Sequence, residues 1–409
     1  MLLQNTTARK RSSWLLLGPA FVAAIAYVDP GNVAANISAG SQFGFLLVWV
    51  IVLANVMAAL VQYLSAKLGL VTGRSLPEIV ADHTNNRGRI GYWLQAELVA
   101  VATDIAEVVG GAIALQLLFK LPLLIGGVVT GMVSLLLLAV QDRRGQRMFE
   151  RVITGMLLII AIGFLTSLFV ETPPPEAVAD GLIPRFHGVD SLLLATAMLG
   201  ATVMPHAVYL HSGLARDRHG HPEAGERRRL LLRMTRFDVG LAMVVAGAVN
   251  LAMLLVAATN LQGRNDTDSI EGAHAAVQDA LGPTVALLFA IGLLASGLAS
   301  TSVGAYAGSM IMHGLLRRSY PLLLRRLITL VPALAVLAIG VDPSRTLVLS
   351  QVVLSFGIPF ALIPLVRFTS SRTLMGEDAN HRVTTALGWV VAATITALNV
   401  VLIYLTVTG

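Results

Sequence analysis

The sequence predicts an all-α protein that crosses a membrane many times, and three observations carry that prediction. Apolar residues fill 56% of the 409 positions and charged residues only 13%, about half the charged share of an ordinary soluble domain. Mean hydropathy is +0.76. The apolar residues gather in long runs, and the basic residues gather in alternate gaps between them. A spanning helix needs about 20 mostly apolar residues, so eleven of them occupy about 220 positions and leave short connections. Intrinsic disorder, a coiled coil and a disulfide-stapled secreted domain are excluded. The absence of cysteine removes thiolate metal sites as well.

The runs predict helices at about 14–41, 43–66, 91–118, 121–140, 149–170, 190–215, 237–260, 284–312, 323–340, 346–366 and 385–407. Polar, turn-forming separators divide them: Thr72-Gly73-Arg74, Asp142-Arg143-Arg144-Gly145, Thr172-Pro173-Pro174-Pro175 and the segment from Asp217 to Arg229. The first run follows Lys10 and Arg11 but meets Asp29-Pro30-Gly31 instead of a small-residue cleavage site, so it reads as a retained helix, not a signal peptide.

Orientation follows from lysine and arginine. With a cytoplasmic N-terminus, only Lys120, Arg185, Arg264 and Arg345 fall outside, and the other 25 of the 29 basic residues fall inside. A missed helix would scramble every later loop, so this split supports the helix count. The formal charge of +6 is therefore topological, and no nucleic-acid partner is expected. The whole chain, 1–409, reads as one transmembrane domain. Short termini and compact loops point to a multi-pass protein of a bacterial inner (plasma) membrane, with the lipid bilayer around it and no obligate protein partner.

Two helices look broken. The first holds Ala26-Tyr27-Val28-Asp29-Pro30-Gly31-Asn32. Proline removes a backbone donor and glycine weakens a helix, while an aspartate at membrane depth costs about 2.5–3.5 kcal/mol on insertion scales. Such a break must face a polar cavity, because freed backbone groups cannot face lipid. The sixth holds Ala201-Thr202-Val203-Met204-Pro205-His206. Breaks in the first and sixth helices, five apart and oppositely oriented, are the pattern of inverted-repeat transporters, which bind substrate at the midplane between the breaks.

Helix dipoles give the sign of the substrate. Both leading half-helices end in mid-membrane with unpaired carbonyls, from about Ala26 and Ala201, and carry partial negative charge there. With the Asp29 carboxylate and the Asn32 amide oxygen they make a cation site. Met204 either fills a gap, as methionine commonly does, or supplies a thioether. A thioether adds little for Mg²⁺ or Ca²⁺ and favours softer ions such as Mn²⁺, Fe²⁺, Co²⁺ and Cd²⁺.

These residues carry a family resemblance. Asp29-Pro30-Gly31-Asn32, Met204-Pro205-His206 and, in the tenth helix, Ser350-Gln351-Val352-Val353-Leu354-Ser355-Phe356-Gly357-Ile358-Pro359 closely resemble the NRAMP divalent-metal transporters, over essentially the whole chain. The resemblance implies a LeuT-like fold: inverted repeats at about 14–170 and 190–366, with an extra helix at about 385–407. It also implies proton-coupled uptake of manganese or ferrous iron, with these ions as cargo and no cofactor. Asp29, Asn32 and Met204 would then be side-chain ligands, Ala26 and Ala201 would offer carbonyls, and Gln351 would join when the site is occluded. Ala207 departs from the asparagine common at that position, which bears on local helix packing more than on metal choice.

Glu97, Asp104 and Glu107 lie within about 80° of arc on the third helix, a single face. Buried acids so aligned read as a relay or a counter-ion set. Arg325 and Arg326 open the ninth helix as partners for Asp104 and Glu107, or as a positive-inside anchor. By the resemblance, this acid–arginine network is the proton exit route, entered from Asp29. His206, with an ordinary pKa near 6.5, either titrates during uptake or shapes the site as a neutral hydrogen-bonding group. His219 and His221 are expected to be solvated, Gly304 and Gly308 to serve close helix packing, and Asp238 to cap or pair locally.

Two other functions fit less well. A LeuT-fold amino-acid symporter would present helix N-termini to a carboxylate, which suits an Asp–Met pair poorly. A metal sensor would want a soluble signalling segment. An enzyme is not expected, since no H-E-x-x-H motif or nucleophile–base pair appears.

Overall fold

The structure is a computed structural model, and it describes residues 18–263, 269–318 and 321–408. Arg9, Lys10, Arg11, Arg264 and the start of the expected first helix lie outside the described residues.

Helices account for every expected span. The first is split into α1 (Pro19–Ala24), a 3-10 turn over Ile25–Val28, and α2 (Pro30–Phe43). A second 3-10 turn, Gly44–Leu47, leads into α3 (Val48–Thr72). Then follow α4 (Leu76–Asp82), α5 (Asn86–Phe119), α6 (Leu123–Arg144), α7 (Gln146–Val170) and α8 (Pro175–Asp180). The second broken helix is α9 (Gly188–Thr202) and α10 (Pro205–His219). The chain continues through α11 (Glu226–Asn260), α12 (Ile270–Leu281), α13 (Pro283–Leu316), α14 (Leu322–Ile339), α15 (Pro343–Thr369), α16 (Arg372–Met375) and α17 (Arg382–Thr408).

Nine helical runs among the described residues are long and apolar enough to cross a membrane. One of them, Pro30–Thr72, joins two of the expected spans across the Gly44–Leu47 turn, and the 18-residue α14 supplies the ninth expected helix. The largest boundary error concerns the separator expected from Asp217 to Arg229. There α10 runs on to His219, and α11 starts at Glu226, well before the expected 237. Glutamate and arginine are good helix formers, so the helix continues past the apolar stretch into water. The short helices α4, α8 and α12 fall in segments read as loops. Ser75 and Ser269 start two of them: the Ser75 N–H donates to Glu78 Oε2 at 2.7 Å, and Ser269 Oγ accepts from the Gly272 N–H at 3.0 Å.

Burial separates centre from periphery. In its most apolar window α5 is 83% buried, against 29% for α17. Helix α5 packs on α13, α15, α6 and α14. It approaches α13 closely at Gly111, whose Cα lies 2.9 Å from where a Cβ on Gly297 would sit. The side chains of Val244, Phe169 and Val400 are exposed, as lipid-facing positions are. The α2 half-helix lies against α11 and α9, and α10 lies against α3. Both breaks therefore face the interior of the bundle.

Candidate metal-binding site and polar network

At the first break Asp29 leaves the helical region (φ −69°, ψ 166°) and becomes the N-cap of α2. Its Oδ1 accepts from the Asn32 N–H at 2.9 Å and from Asn32 Nδ2 at 2.6 Å. The capping position explains how an acid tolerates this depth: it satisfies an orphan donor of the second half-helix. Its other oxygen, Oδ2, is buried with no hydrogen-bond partner. At the second break Met204 is extended (φ −75°, ψ 123°) and stands at the N-cap of α10, fully buried.

One contact ties the breaks together: Asn32 Nδ2 donates to the Ala201 carbonyl at 3.3 Å. This corrects the expectation that the Ala201 carbonyl is unpaired. The end of the first half-helix is also largely satisfied. The Tyr27 carbonyl accepts from Asn250 Nδ2 at 2.7 Å, and the Val28 carbonyl accepts from Ser296 Oγ. Backbone carbonyls at membrane depth must be paired somewhere, and neighbouring helices supply the donors. Ala26 is buried in the 3-10 turn.

Gln351 arrives from α15. A Cβ on Gly31 would lie 1.7 Å from Gln351 Nε2 and 3.1 Å from Asp29 Oδ2, so the missing side chain at Gly31 is what admits the amide beside the carboxylate. Neither polar atom of Gln351 has a partner, and neither ring nitrogen of buried His206 has one. Asn32 thus meets Ala201 across the breaks and Gln351 stands beside Asp29; these four residues, with Met204 and Ala26, are each at most 4% exposed. Among the described residues no three His, Asp or Glu side chains converge as a metal cage. The donor set here is instead one carboxylate, two amides, a thioether and backbone carbonyls. Oxygen donors combined with a thioether suit a divalent ion of borderline softness.

The second polar track starts one turn away. Gly110 of α5 abuts Pro30, with a Cβ there falling 2.2 Å from Pro30 Cβ. Three residues earlier, both carboxylate oxygens of Glu107 are buried without a partner. Arg326 is fully buried and pairs with Asp104 at 2.7 Å, while its Nε donates to Ser134 Oγ at 2.9 Å and its Nη2 to Thr301 Oγ1 at 3.1 Å. Arg325 does not reach Glu107. It donates to both carboxylate oxygens of Glu97, at 2.8 and 2.9 Å. The two arginines take acids seven positions apart along α5. Glu97 is 24% exposed against 2% for Asp104, so the track runs from a sealed interior toward an open end.

Gly304 and Gly308 correct another reading. A Cβ at Gly304 would meet Glu107 Oε2 at 3.0 Å, and one at Gly308 would fall on the Arg325 guanidinium. The pair makes room for these charged side chains, not for a helix backbone. Asp238 does cap, but not locally: it accepts from the Gly18 and Ala20 N–H groups at 3.1–3.2 Å, tying α11 to the start of α1. His219 is half-buried, whereas His221 is exposed as expected.

Sequence reading missed His211, which is buried in α10. Its Nδ1 bonds Gln62 Oε1 at 2.7 Å, and Gln62 Nε2 donates to the Tyr27 hydroxyl at 2.6 Å. The available signal was a second histidine, with Gln62, inside otherwise apolar spans.

The fold as a whole is shared with known proteins. The fold matches the nucleobase-cation-symport-1 transporter Mhp1 with a TM-score of 0.61 at 15% identity, over 95% of this chain and 89% of that one. It is a LeuT-like, multi-span helical fold. The family described as "Natural resistance-associated macrophage protein-like" matches residues 20–405, and the chain belongs to that Nramp family. It is 71% identical to the divalent metal cation transporter MntH of Mycobacterium tuberculosis, over 408 residues that cover 100% of this chain and 95% of the relative. It is 48% identical to the protein of that name in Bacillus subtilis, over 95% of this chain and 91% of the relative. Among solved structures, the manganese transporter of Eremococcus coleocola superposes with a TM-score of 0.85 at 31% identity, covering 94% of this chain and 85% of that one.

Proposed function

We propose that the chain imports divalent transition-metal ions, Mn²⁺ first and also Fe²⁺, Co²⁺ and Cd²⁺, together with protons, by alternating access across a bacterial inner membrane. The observation that carries this reading is the pair of breaks joined by Asn32 and Ala201, where Asp29 Oδ2 and the Gln351 amide are buried and unpartnered and Met204, fully buried, stands at the start of α10. Family membership and the divalent-metal and manganese transporters among the relatives support it.

The ion enters from outside and exchanges most of its waters for Asp29, Asn32, Met204, Gln351 and the carbonyls of Ala26 and Ala201. A proton taken by Asp29 passes to Glu107 and on to Asp104 and Glu97, whose arginine partners hold the acids in place. Two charges moving inward through about 100 mV gain roughly 4.6 kcal/mol before any proton contribution. The N-terminus is cytoplasmic in this scheme, and the segments at about 14–170 and 190–366 are inverted repeats.

The test is Mn²⁺ flux into proteoliposomes that carry an internal pH dye, with Ca²⁺, Mg²⁺ and amino acids as competitors. Saturable Mn²⁺ uptake with acidification, insensitive to amino acids, is the expected result. Mn²⁺ uptake without acidification would remove the proton role from the α5 acids. No Mn²⁺ uptake by folded protein would overturn the reading.

A further inference from the structure

Gln95 is a second buried amide with no hydrogen bond at either end. Among the described residues only Gln351 shares that condition, and Gln351 stands in the central cluster. Leaving a buried amide unsatisfied is costly, and an apolar residue would fill the same space without that cost. Its position is informative. A Cβ at Gly357 would lie 3.0 Å from Gln95 Nε2 and 3.0 Å from Pro205 Cγ, so Gln95 of α5 meets the start of α10 across a bare patch of α15. Gly357 lies six residues beyond Gln351 on the same helix, about 9 Å at 1.5 Å per residue. In the orientation proposed above, that step leads toward the cytoplasm. His206 follows Pro205 directly, and both its ring nitrogens are buried and unpartnered too.

We infer that Gln95 and His206 form a release site for the transported divalent transition-metal ion, one step cytoplasmic of the Asp29–Met204 cluster. This inference rests on the transport reading. An amide oxygen is a hard ligand and an imidazole nitrogen a borderline one, a pair that suits Mn²⁺, Fe²⁺ and Co²⁺. The pair carries no carboxylate, so it holds the ion weakly. Weak, successive sites are what passage demands, because an ion must be able to leave each site it occupies. The two side chains replace some of the hydration the ion has not yet regained and shorten the gap between the sealed cluster and water.

The experiment compares the full chain with Gln95→Leu and Gln95→Met in proteoliposomes. It measures Vmax for Mn²⁺ and Cd²⁺ by flux and Kd for Mn²⁺ by calorimetry. Gln95→Leu is expected to lose about tenfold in Mn²⁺ Vmax with Kd changed less than twofold, because the central cluster is untouched and an unchanged Kd certifies folding. Gln95→Met offers a soft thioether at nearly the same length, so it is expected to raise the Cd²⁺-to-Mn²⁺ Vmax ratio several-fold over that of Gln95→Leu. A wild-type Vmax in Gln95→Leu would overturn the release site, as would a fall in Vmax matched by a rise in Kd or equal effects of both variants on both metals. No flux in the unsubstituted chain would instead overturn the transport reading, and the release site with it.

Discussion

Asp29 performs two tasks that a single substitution separates. Its Oδ1 caps α2 through Asn32, while Oδ2 is buried with nothing to bind. Asparagine is an equally good N-cap, so Asp29→Asn is expected to keep the fold and its thermal midpoint within a few degrees while losing at least a hundredfold in Mn²⁺ uptake. A melting curve beside a flux assay checks both halves, and retained uptake would remove Asp29 from the site. For Met204 the expectation is a change in selectivity. Met204→Ala removes a thioether that helps manganese far more than calcium, so Ca²⁺ competition should strengthen by on the order of tenfold, about 1.4 kcal/mol. These residues were legible in the sequence because each is a local anomaly: an acid, a proline and a glycine in an apolar run, and a methionine beside a proline. Gln95 and His211 were not legible. Each is a single polar residue in a long helix, and what marks it is the lack or identity of a partner far away in the chain.

Along the helices, small residues decide what can approach. The side chain missing at Gly31 is replaced by the flexible end of Gln351, whereas the one missing at Gly110 is replaced by the rigid ring of Pro30. The two alanine substitutions should therefore differ in kind. Gly31→Ala is expected to fold and to weaken Mn²⁺ binding several-fold, because the amide can swing away from Asp29. Gly110→Ala must displace a packed half-helix, and overpacking of this sort costs about 1–3 kcal/mol, so it should lower the thermal midpoint. Melting curves and Mn²⁺ titration of the two variants side by side separate these outcomes; equal loss of stability in both would refute the distinction. Spans and break positions were readable because apolar runs and prolines are local. The pairing of Arg325 with Glu97 was not, since it depends on the rotation of α14 against α5. The service of Gly304 and Gly308 to Glu107 and Arg325 was hidden for the same reason, because a small-residue pair has the same spacing whatever fills the gap.

Across the whole molecule, the basic end carries an ionic clamp between elements remote in sequence. Glu78 of α4 binds Arg216 of α10 at 2.6 Å, and Asp82 of the same short helix binds both Arg74 and, at 2.6 Å, Arg317 beyond α13. Leu76 N–H adds a 2.8 Å bond to Ser212 Oγ. About two turns of helix thus join the ends of α3, α10 and α13. Burial alone would raise the Glu78 carboxyl, but the Ser75 N–H and Arg216 hold it below its ordinary value. Slight burial works the same way on Asp82, and Arg74 and Arg317 hold that carboxyl below its ordinary value too. A carboxyl whose folded pKa is depressed stabilises the fold fully above its unfolded pKa, about 4.3 for glutamate and about 3.9 for aspartate. That contribution disappears as pH falls through the lower folded value. The clamp is therefore intact at neutral pH and through mild acidification, and it weakens only as pH falls below about 4. Both carboxylates are partly exposed, so salt screens them and the total effect is modest. Glu78→Gln together with Asp82→Asn is expected to lower the thermal midpoint by a few degrees at pH 7, the difference narrowing as pH falls below about 4 and shrinking in high salt. A pH series of melting curves for the double variant against the unsubstituted chain reads this directly. A gap between the two proteins that widens toward acid would mean that the carboxylates stabilise the fold as protonated groups, and the clamp as described would be wrong.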